Sequence, residues 1–191
     1  MAAFVVTAAS QEGLVIDHAE LERLASGAAP LTPIECMERA ERAAMALDLA
    51  ALDRTSAGDA LLLWRSDASE AWLNLWWQAR DTGFHDHDGS CVGVYVIEGV
   101  ARNEPLVIGQ PRRLREYGPG DRFASLGTGI HRMEHEPGAV TIHVYSPPIR
   151  SIGEYELEDG ELRRRPVAPD EPSAASPQLL AAVAANGGQS R

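Results

Sequence analysis

The stretch Ala139-Val-Thr-Ile-His-Val-Tyr145 alternates aliphatic with polar side chains. Because successive side chains of a β-strand point to opposite faces, one face is aliphatic and the other carries Thr141, His143 and Tyr145. Such a polar face either meets solvent on an edge strand or lines the interior of a barrel. In the second case the hydroxyl, imidazole and phenol can satisfy one another as a hydrogen-bonded relay.

Similar β-prone runs recur along the chain after Gly58, separated by Gly, Pro and Asp. The predicted strands are 61–65, 72–78, 92–97, 106–108, 113–117, 122–124, 139–145 and 153–157. So many short strands in about a hundred residues predict an antiparallel sandwich or barrel.

The preceding part of the chain is helical in pattern. Thr32 and Pro33 suit an N-cap and a first helical turn, and apolar residues follow at spacings of three and four. We predict two helices between residues 17 and 51. The expected organisation is an N-terminal helical segment (1–57) packed on a barrel (58–165), followed by a partly flexible tail (166–191) rich in Pro, Ala and Ser.

Composition excludes several classes of function. The 191 residues carry a net charge of -11, which disfavours nucleic acid as a partner. No apolar run approaches the ~20 residues of a membrane span, so no membrane partner is expected. All 17 basic residues are arginine, which rules out Schiff-base catalysis by lysine. The two cysteines lack zinc-type spacing, and no secretory signal is evident, so we expect a cytoplasmic protein. We also expect a monomer or a small homo-oligomer.

Histidines carry the main functional signal, since five of the six lie between residues 85 and 143. His85 and His87 are two residues apart, so on a strand both imidazoles face the same way while Asp86 points away. His131, after a glycine-rich loop, is the candidate third ligand. Neutral imidazoles suit Zn, Cu, Fe and Ni, and three ligands leave open positions, which favours a catalytic metal.

Two segments resemble the motifs of the cupin superfamily. Gly83-Phe-His85-Asp-His87, followed twelve residues later by Gly99, is similar to the first cupin motif. Pro119-Gly120-Asp121 together with His131 is similar to the second. The resemblance implies a mainly β fold, a cupin-type antiparallel β-barrel (double-stranded β-helix or jelly roll) with N-terminal helices.

Three motifs in order resemble more specifically the cysteine dioxygenase family of thiol dioxygenases. They are His85-Asp-His87, Ile130-His-Arg-Met-Glu134 and His143-Val-Tyr-Ser-Pro-Pro148. A generic cupin usually adds a glutamate ligand shortly after His87, and this chain lacks one there. The resemblance therefore implies a three-histidine site.

What the resemblance implies for function is a mononuclear Fe(II) held by His85, His87 and His131. A small carboxylated thiol, most simply L-cysteine, would react there with O2 to give a sulfinate. By the same resemblance Tyr145 donates a hydrogen bond near the reacting atoms and His143 orients it. Thr141 stands where the family often has serine.

Other positions depart from the family pattern or carry weaker expectations. Arg65 is the candidate anchor for the substrate carboxylate, although Leu63 replaces the expected aromatic hydroxyl and the following loop is short. Some members of this family crosslink a cysteine to the tyrosine that Tyr145 resembles. Counting without gaps from His87 puts that cysteine position at Val92, with Cys91 on the opposite strand face, so we expect no crosslink between Cys91 and Tyr145. His135 is expected in an exposed, charged turn. The adjacent tryptophans at 76 and 77 should split between the two faces of their strand.

Alternative functions remain open on the sequence alone. The chain could oxidise a different thiol or form a different product. It could be a cupin with another metal that acts as an isomerase or on a diketone. It could also be a non-catalytic cupin that binds a metal or a small molecule.

Overall fold

A computed structural model describes residues 13–54, 60–158 and 161–167. The helices are α1 (His18–Ala25) and α2 (Pro33–Met45). The strands are β1 (Val15–Ile16), β2 (Leu47–Asp48), β3 (Ala60–Arg65), β4 (Glu70–Trp76), β5 (Arg80–Asp81), β6 (His85–Asp86), β7 (Cys91–Glu98), β8 (Ala101–Pro105), β9 (Arg115–Tyr117), β10 (Arg122–Ser125), β11 (His131–His135), β12 (Ala139–Ser146), β13 (Ile152–Glu158) and β14 (Glu161–Val167).

Both predicted helices form, and their ends show why. The Thr32 hydroxyl accepts the backbone N–H of Glu35, and the Glu35 carboxylate accepts the backbone N–H of Thr32 at 2.7 Å, which closes a capping box before Pro33. The Asp17 carboxylate caps α1 by accepting the backbone N–H of Glu20. These caps satisfy backbone donors that have no partner within a helix.

Two antiparallel sheets enclose the interior of the domain. The first sheet has the order β10-β7-β12-β4-β3, and the second has the order β14-β13-β6-β11-β8-β9 with β5 beside β11. Every strand pair is antiparallel. The predicted cupin-type antiparallel β-barrel with N-terminal helices is therefore confirmed.

Strand β12 lies at the centre of the first sheet, between β7 and β4. Its aliphatic side chains join the cluster that packs under α1 and α2, whereas Tyr145 belongs to the cluster between the sheets. Thr141, His143 and Tyr145 are at most 4% exposed. The polar face of β12 thus lines the barrel interior, and the alternative of a solvent-facing edge strand is wrong.

The structure contains three longer strands that the sequence pattern does not predict, namely β8, β11 and β14. They are rich in charged residues and lack clear apolar alternation, and cross-strand ion pairs such as Arg102 with Glu116 support them. Conversely, residues 106–108 lie in a loop where Ile108 is 95% exposed. An apolar run without a surface to pack against does not become a strand.

Strand β14 ends at the buried residue Val167. The second sheet therefore includes the first two residues of the segment expected to be a tail. The rest of that segment, residues 168–191, lies outside the described residues, as does the start of the N-terminal segment, residues 1–12. No helix in the described ranges is long and apolar enough to cross a bilayer.

Gly93 allows α2 to approach β7 closely, which yields a prediction about stability. A Cβ at this position would lie 2.0 Å from the Met37 nitrogen and 2.3 Å from the Cys36 carbonyl carbon. Because backbone cannot yield locally, we expect Gly93→Ala to lower the free energy of unfolding by about 1–3 kcal/mol in urea titrations. Gly118→Ala, whose Cβ would meet nothing closer than 3.9 Å, is the control and should change stability by less than about 0.5 kcal/mol. Equal effects of the two substitutions would contradict this packing.

Candidate metal centre

Three imidazoles converge at one point between the sheets. His85 lies on β6, His131 lies directly opposite on β11, and His87 follows β6 by one residue. Their candidate ligand atoms all lie within 4.8 Å of one another, and all three side chains are buried. The structure thus brings together the three histidines that the sequence singles out. Within the described ranges, no other group of histidine, cysteine and carboxylate side chains is arranged to hold a metal.

Hydrogen bonds on the far side of two of the rings fix which nitrogen faces the centre. The Nδ1 of His131 lies 2.7 Å from the Asn103 amide oxygen, and the Nδ1 of His85 lies 3.1 Å from the Gly83 carbonyl oxygen. Both oxygens accept, so each imidazole donates from Nδ1 and keeps a lone pair on Nε2. The Nε2 of His131 is buried and has no hydrogen-bond partner in the described part of the chain. An unpartnered, buried lone pair of this kind fits a metal ion.

The electrostatic setting keeps the rings in their ligand form. Burial lowers the pKa of all three histidines, and neighbouring imidazoles lower the pKa of His87 and His131 further. Neutral imidazole is the form that binds a metal, so little proton release is needed at neutral pH. The three donors are nitrogens, a set that suits Fe, Zn, Cu or Ni.

Asp86 points away from the centre, as expected, and anchors the segment that carries two of the candidate ligands, His85 and His87. Its carboxylate accepts hydrogen bonds from the Arg164 guanidinium at 2.7 and 2.9 Å and from the Tyr155 hydroxyl at 2.7 Å. Although burial raises the pKa of Asp86, these hydrogen bonds hold it below its ordinary value. The interaction ties β6 to β13 and β14, which holds His85 and His87 in place.

The polar side chains of β12 form a hydrogen-bonded line, here called the relay: Thr141, His143 and Tyr145. The Thr141 Oγ1 lies 3.1 Å from His143 Nε2, and His143 Nδ1 lies 2.9 Å from the Tyr145 hydroxyl. The Tyr145 ring lies 5.1 Å from the His87 ring, centroid to centroid, so the relay ends beside the metal centre. Burial lowers the pKa of His143 to about 3 and, with the nearby Glu70 carboxylate, raises the pKa of Tyr145.

The metal centre shares a cavity with His143 and Tyr145 of the relay. The lining residues are Trp76, Thr82, His85, His87, Val92, Val94, His131, Met133, His135, His143 and Tyr145. Trp76 lies on the inner face of β4 whereas Trp77 packs against the cluster under the helices, as the predicted split requires. Apart from the imidazoles, the lining is mainly apolar and aromatic, as in many small-molecule sites.

The expectation for His135 is wrong. Its side chain is 3% exposed and stacks on Trp76, with ring centroids 3.7 Å apart and an interplanar angle of 12°. The physical reason is that β11 continues through His135, and strand alternation turns residues 131, 133 and 135 to the interior. From the sequence alone, the acidic residues at 134 and 136 indicate a solvated turn, because β11 has no apolar alternation that would reveal a strand.

The structure does not bring Arg65 into the lining of this cavity. Its Nε and one terminal nitrogen lie 2.6 Å from the buried Glu70 carboxylate, and its guanidinium lies 5.9 Å from the Trp72 ring centroid. Glu70 is nevertheless directly opposite Tyr145 in the sheet. Arg65 therefore lies near the tyrosine end of the relay, held by an acidic partner that the sequence does not reveal.

The Cys91 side chain faces away from the relay. Its Sγ lies 3.7 Å from the Sγ of Cys36 on α2, whereas Val92 is the residue of β7 opposite Tyr145. Both cysteines are free and buried. The geometry agrees with the expectation that Cys91 and Tyr145 are not crosslinked.

Asn103 and Trp76 are site residues that sequence reasoning misses. Asn103 contacts His131 only because β8 pairs with β11, and β8 itself shows no strand pattern. Trp76 donates its indole N–H to Thr141 Oγ1 at 3.0 Å, which extends the relay by one residue. The sequence predicts that Trp76 and Trp77 occupy opposite faces, but it does not indicate which of them faces the cavity or what its hydrogen-bond partner is.

Comparison with known proteins gives a family and several fold neighbours. The family described as cysteine dioxygenase type I matches residues 40–158. No curated protein matches the chain. Among solved structures, KdgF from Halomonas sp. is similar at 21% identity, over 46% of this chain and 76% of its own, with a TM-score of 0.41. Oxalate decarboxylase from Bacillus subtilis shares 18% identity over 42% of this chain and 21% of its own (TM-score 0.38). A cupin superfamily protein from Desulfitobacterium hafniense shares 14% identity over 46% and 73% (TM-score 0.38).

The family match spans well over half of the chain, including the three converging histidines and all of the relay. It begins within α2 and ends with β13, so it contains most of both sheets. The chain belongs to the cysteine dioxygenase type I family.

Proposed function

We propose that this protein is an Fe(II)-dependent thiol dioxygenase that acts on a small carboxylated thiol, most simply L-cysteine. The reaction is RSH + O2 → RSO2H, in which both oxygen atoms end on sulfur and the thiol becomes a sulfinic acid. One observation carries the proposal: three buried imidazoles converge beside a hydrogen-bonded tyrosine in a member of this family.

The donor set suits iron as the resident metal. His85 and His131 would hold it through Nε2 and His87 through one of its ring nitrogens, and three protein ligands leave positions open for substrates. When bound, the ferrous ion supplies Lewis acidity that favours the thiolate and a common point at which thiolate and O2 meet. Asn103 and the Gly83 carbonyl keep two of the imidazoles oriented toward that point.

The protein residues around the centre hold and direct a proton. Burial raises the pKa of Tyr145, so the phenol keeps its hydrogen at neutral pH. The His143 imidazole, bonded on both nitrogens, fixes where the phenol oxygen lies. Val92 and Val94 of β7 line the same cavity with apolar surface, and a less polar surrounding strengthens these hydrogen bonds. Tyr145 is therefore the proposed donor to the reacting atoms, with His143 and Thr141 as its positioning residues.

Arg65 is the proposed anchor for the substrate carboxylate. The guanidinium uses its Nε edge on Glu70, which leaves the edge formed by its two terminal nitrogens for a second carboxylate. Its position opposite Glu70, which in turn lies opposite Tyr145, supports this role. Binding would require the Arg65 side chain, 37% exposed, to reach toward the relay.

We further propose that the partners are limited to the small thiol and O2, without nucleic acid or membrane. A cytoplasmic location is supported by the two unpaired thiols, and a monomer or small homo-oligomer is the proposed state.

The experiment that tests the function is oxygen uptake by the Fe(II)-loaded protein with L-cysteine and a panel of carboxylated thiols. We expect one O2 consumed per sulfinate formed on at least one thiol, measured with an oxygen electrode and mass spectrometry. Activity only with another metal, or ligand binding without turnover of any thiol at full iron loading, would instead support a different cupin function.

The metal ligands yield a direct prediction. His131→Ala removes one of three ligands, so we expect bound iron to fall from about one per chain to near zero by elemental analysis. Asn103→Leu removes only the acceptor behind His131 and should weaken metal affinity about 10- to 100-fold. His18→Ala, at an exposed helical position, is the control and should leave iron content unchanged. Full iron retention by His131→Ala would refute the site.

The carboxylate anchor yields a second prediction. Arg65→Met keeps much of the side-chain volume but loses the charge, so we expect KM for the carboxylated thiol to rise about 10- to 100-fold. Cysteamine, which has no carboxylate, should be oxidised equally well, or equally poorly, by both forms. Arg54→Met is the matched control, because Arg54 is similarly exposed and also pairs with a glutamate, but its partner Glu98 is exposed whereas Glu70 is buried. An unchanged KM in Arg65→Met would eliminate Arg65 as the anchor.

A further inference from the structure

We propose that Trp76 sets the direction of every hydrogen bond in the relay, so that Tyr145 directs its O–H away from His143 and toward the metal centre. The inference concerns a positioning residue, and its link to catalysis rests on the proposed function. Its structural part, the tautomer of His143, stands independently.

The indole of Trp76 can only donate a hydrogen bond. Its Nε1 lies 3.0 Å from the Thr141 Oγ1, and both residues are buried. One lone pair of the Thr141 oxygen is therefore occupied by the indole hydrogen. What remains on that oxygen is one hydrogen and one lone pair.

The Thr141 hydroxyl hydrogen has one acceptor within reach. In the described part of the chain, the groups hydrogen-bonded to Thr141 Oγ1 are the indole nitrogen of Trp76 and the Nε2 of His143 at 3.1 Å. If His143 donated to Thr141, the oxygen would accept twice and leave a buried O–H hydrogen without an acceptor, which is costly. Thr141 therefore donates to His143 Nε2.

The direction of this hydrogen bond determines the direction of the next one, between His143 and Tyr145. Because Nε2 accepts, the neutral imidazole of His143 carries its hydrogen on Nδ1, which donates to the Tyr145 oxygen at 2.9 Å. The hydrogen of the phenol is not consumed by His143. In the reverse direction Tyr145 would donate to His143 and could not donate to a substrate beside His87.

The indole itself is held in the required orientation. The His135 ring stacks on it at 3.7 Å and 12°, and the Arg80 guanidinium lies 5.8 Å from its ring centroid. Arg80 and His135 are also direct partners across β5 and β11. His135 thus acts through its ring face, which explains a buried histidine whose two ring nitrogens have no hydrogen-bond partner among the described residues.

The test replaces the indole by a ring that stacks but cannot donate, Trp76→Phe. Nitrogen-15 NMR of the full chain loaded with diamagnetic Zn(II) reports the tautomer of His143. We expect the wild type to show hydrogen on Nδ1, and Trp76→Phe to show a substantial population with hydrogen on Nε2. With Fe(II), kcat should fall about tenfold at unchanged KM, since one transition-state hydrogen bond loses its orientation. Trp77→Phe, the adjacent indole on the opposite face, is the matched control and should behave like wild type.

Two further variants keep the test decisive. Thr141→Val removes the oxygen that transmits the direction and should reproduce the NMR change even if Trp76→Phe fails to fold. Thr141→Ser keeps the hydroxyl and should retain the wild-type tautomer. Hydrogen on Nε2 of His143 in the wild type, or an unchanged tautomer in both Trp76→Phe and Thr141→Val, would overturn the inference. Absence of thiol oxidation by the wild type would refute the proposed function while leaving the NMR result to stand.

Discussion

The pairing of β6 with β11 is the constraint on which the rest of the structure depends. It sets His131 directly opposite His85, and the one-residue step to His87 completes the group. A shift of this register by one residue would turn His131 to the other face of its sheet. The Asp86 ion pair with Arg164 and the contact of Asn103 with His131 hold this register from opposite sides.

Burying so many polar groups between two sheets is costly unless each has a partner. Several of these groups are hydrogen-bonded to one another. The imidazoles of His85 and His131 donate to oxygen atoms on the side away from the metal centre. Thr141 of the relay accepts the indole N–H of Trp76. Among the described residues, a few buried polar atoms lack a hydrogen-bond partner, and they include both ring nitrogens of His135 and the Nε2 of His131. Of these, the Nε2 of His131 belongs to the group of three converging imidazoles, where a metal is expected.

Local patterns in the sequence predict much of this arrangement. The spacing of His85 and His87, the alternation along β12 and the helix caps are each contained within a few residues, so two of the candidate ligands, the relay and both helices could be foreseen. Three features could not be foreseen: the burial of His135, the hydrogen bond of His131 with Asn103, and the role of Trp76. Each depends on which strand pairs with which and in what register, and β8 and β11 carry no apolar alternation to reveal them. Glu70 likewise becomes the partner of Arg65 only when β3 and β4 pair.

We propose that one iron is bound by three protein ligands only, His85, His87 and His131. The most direct measurement is a crystal structure of the Fe(II)-loaded protein with an anomalous difference map at the iron absorption edge. We predict a single peak per chain, about 2 Å from one ring nitrogen of each of the three histidines and without a carboxylate or cysteine ligand. A peak elsewhere, or one coordinated by a fourth protein side chain, would contradict it.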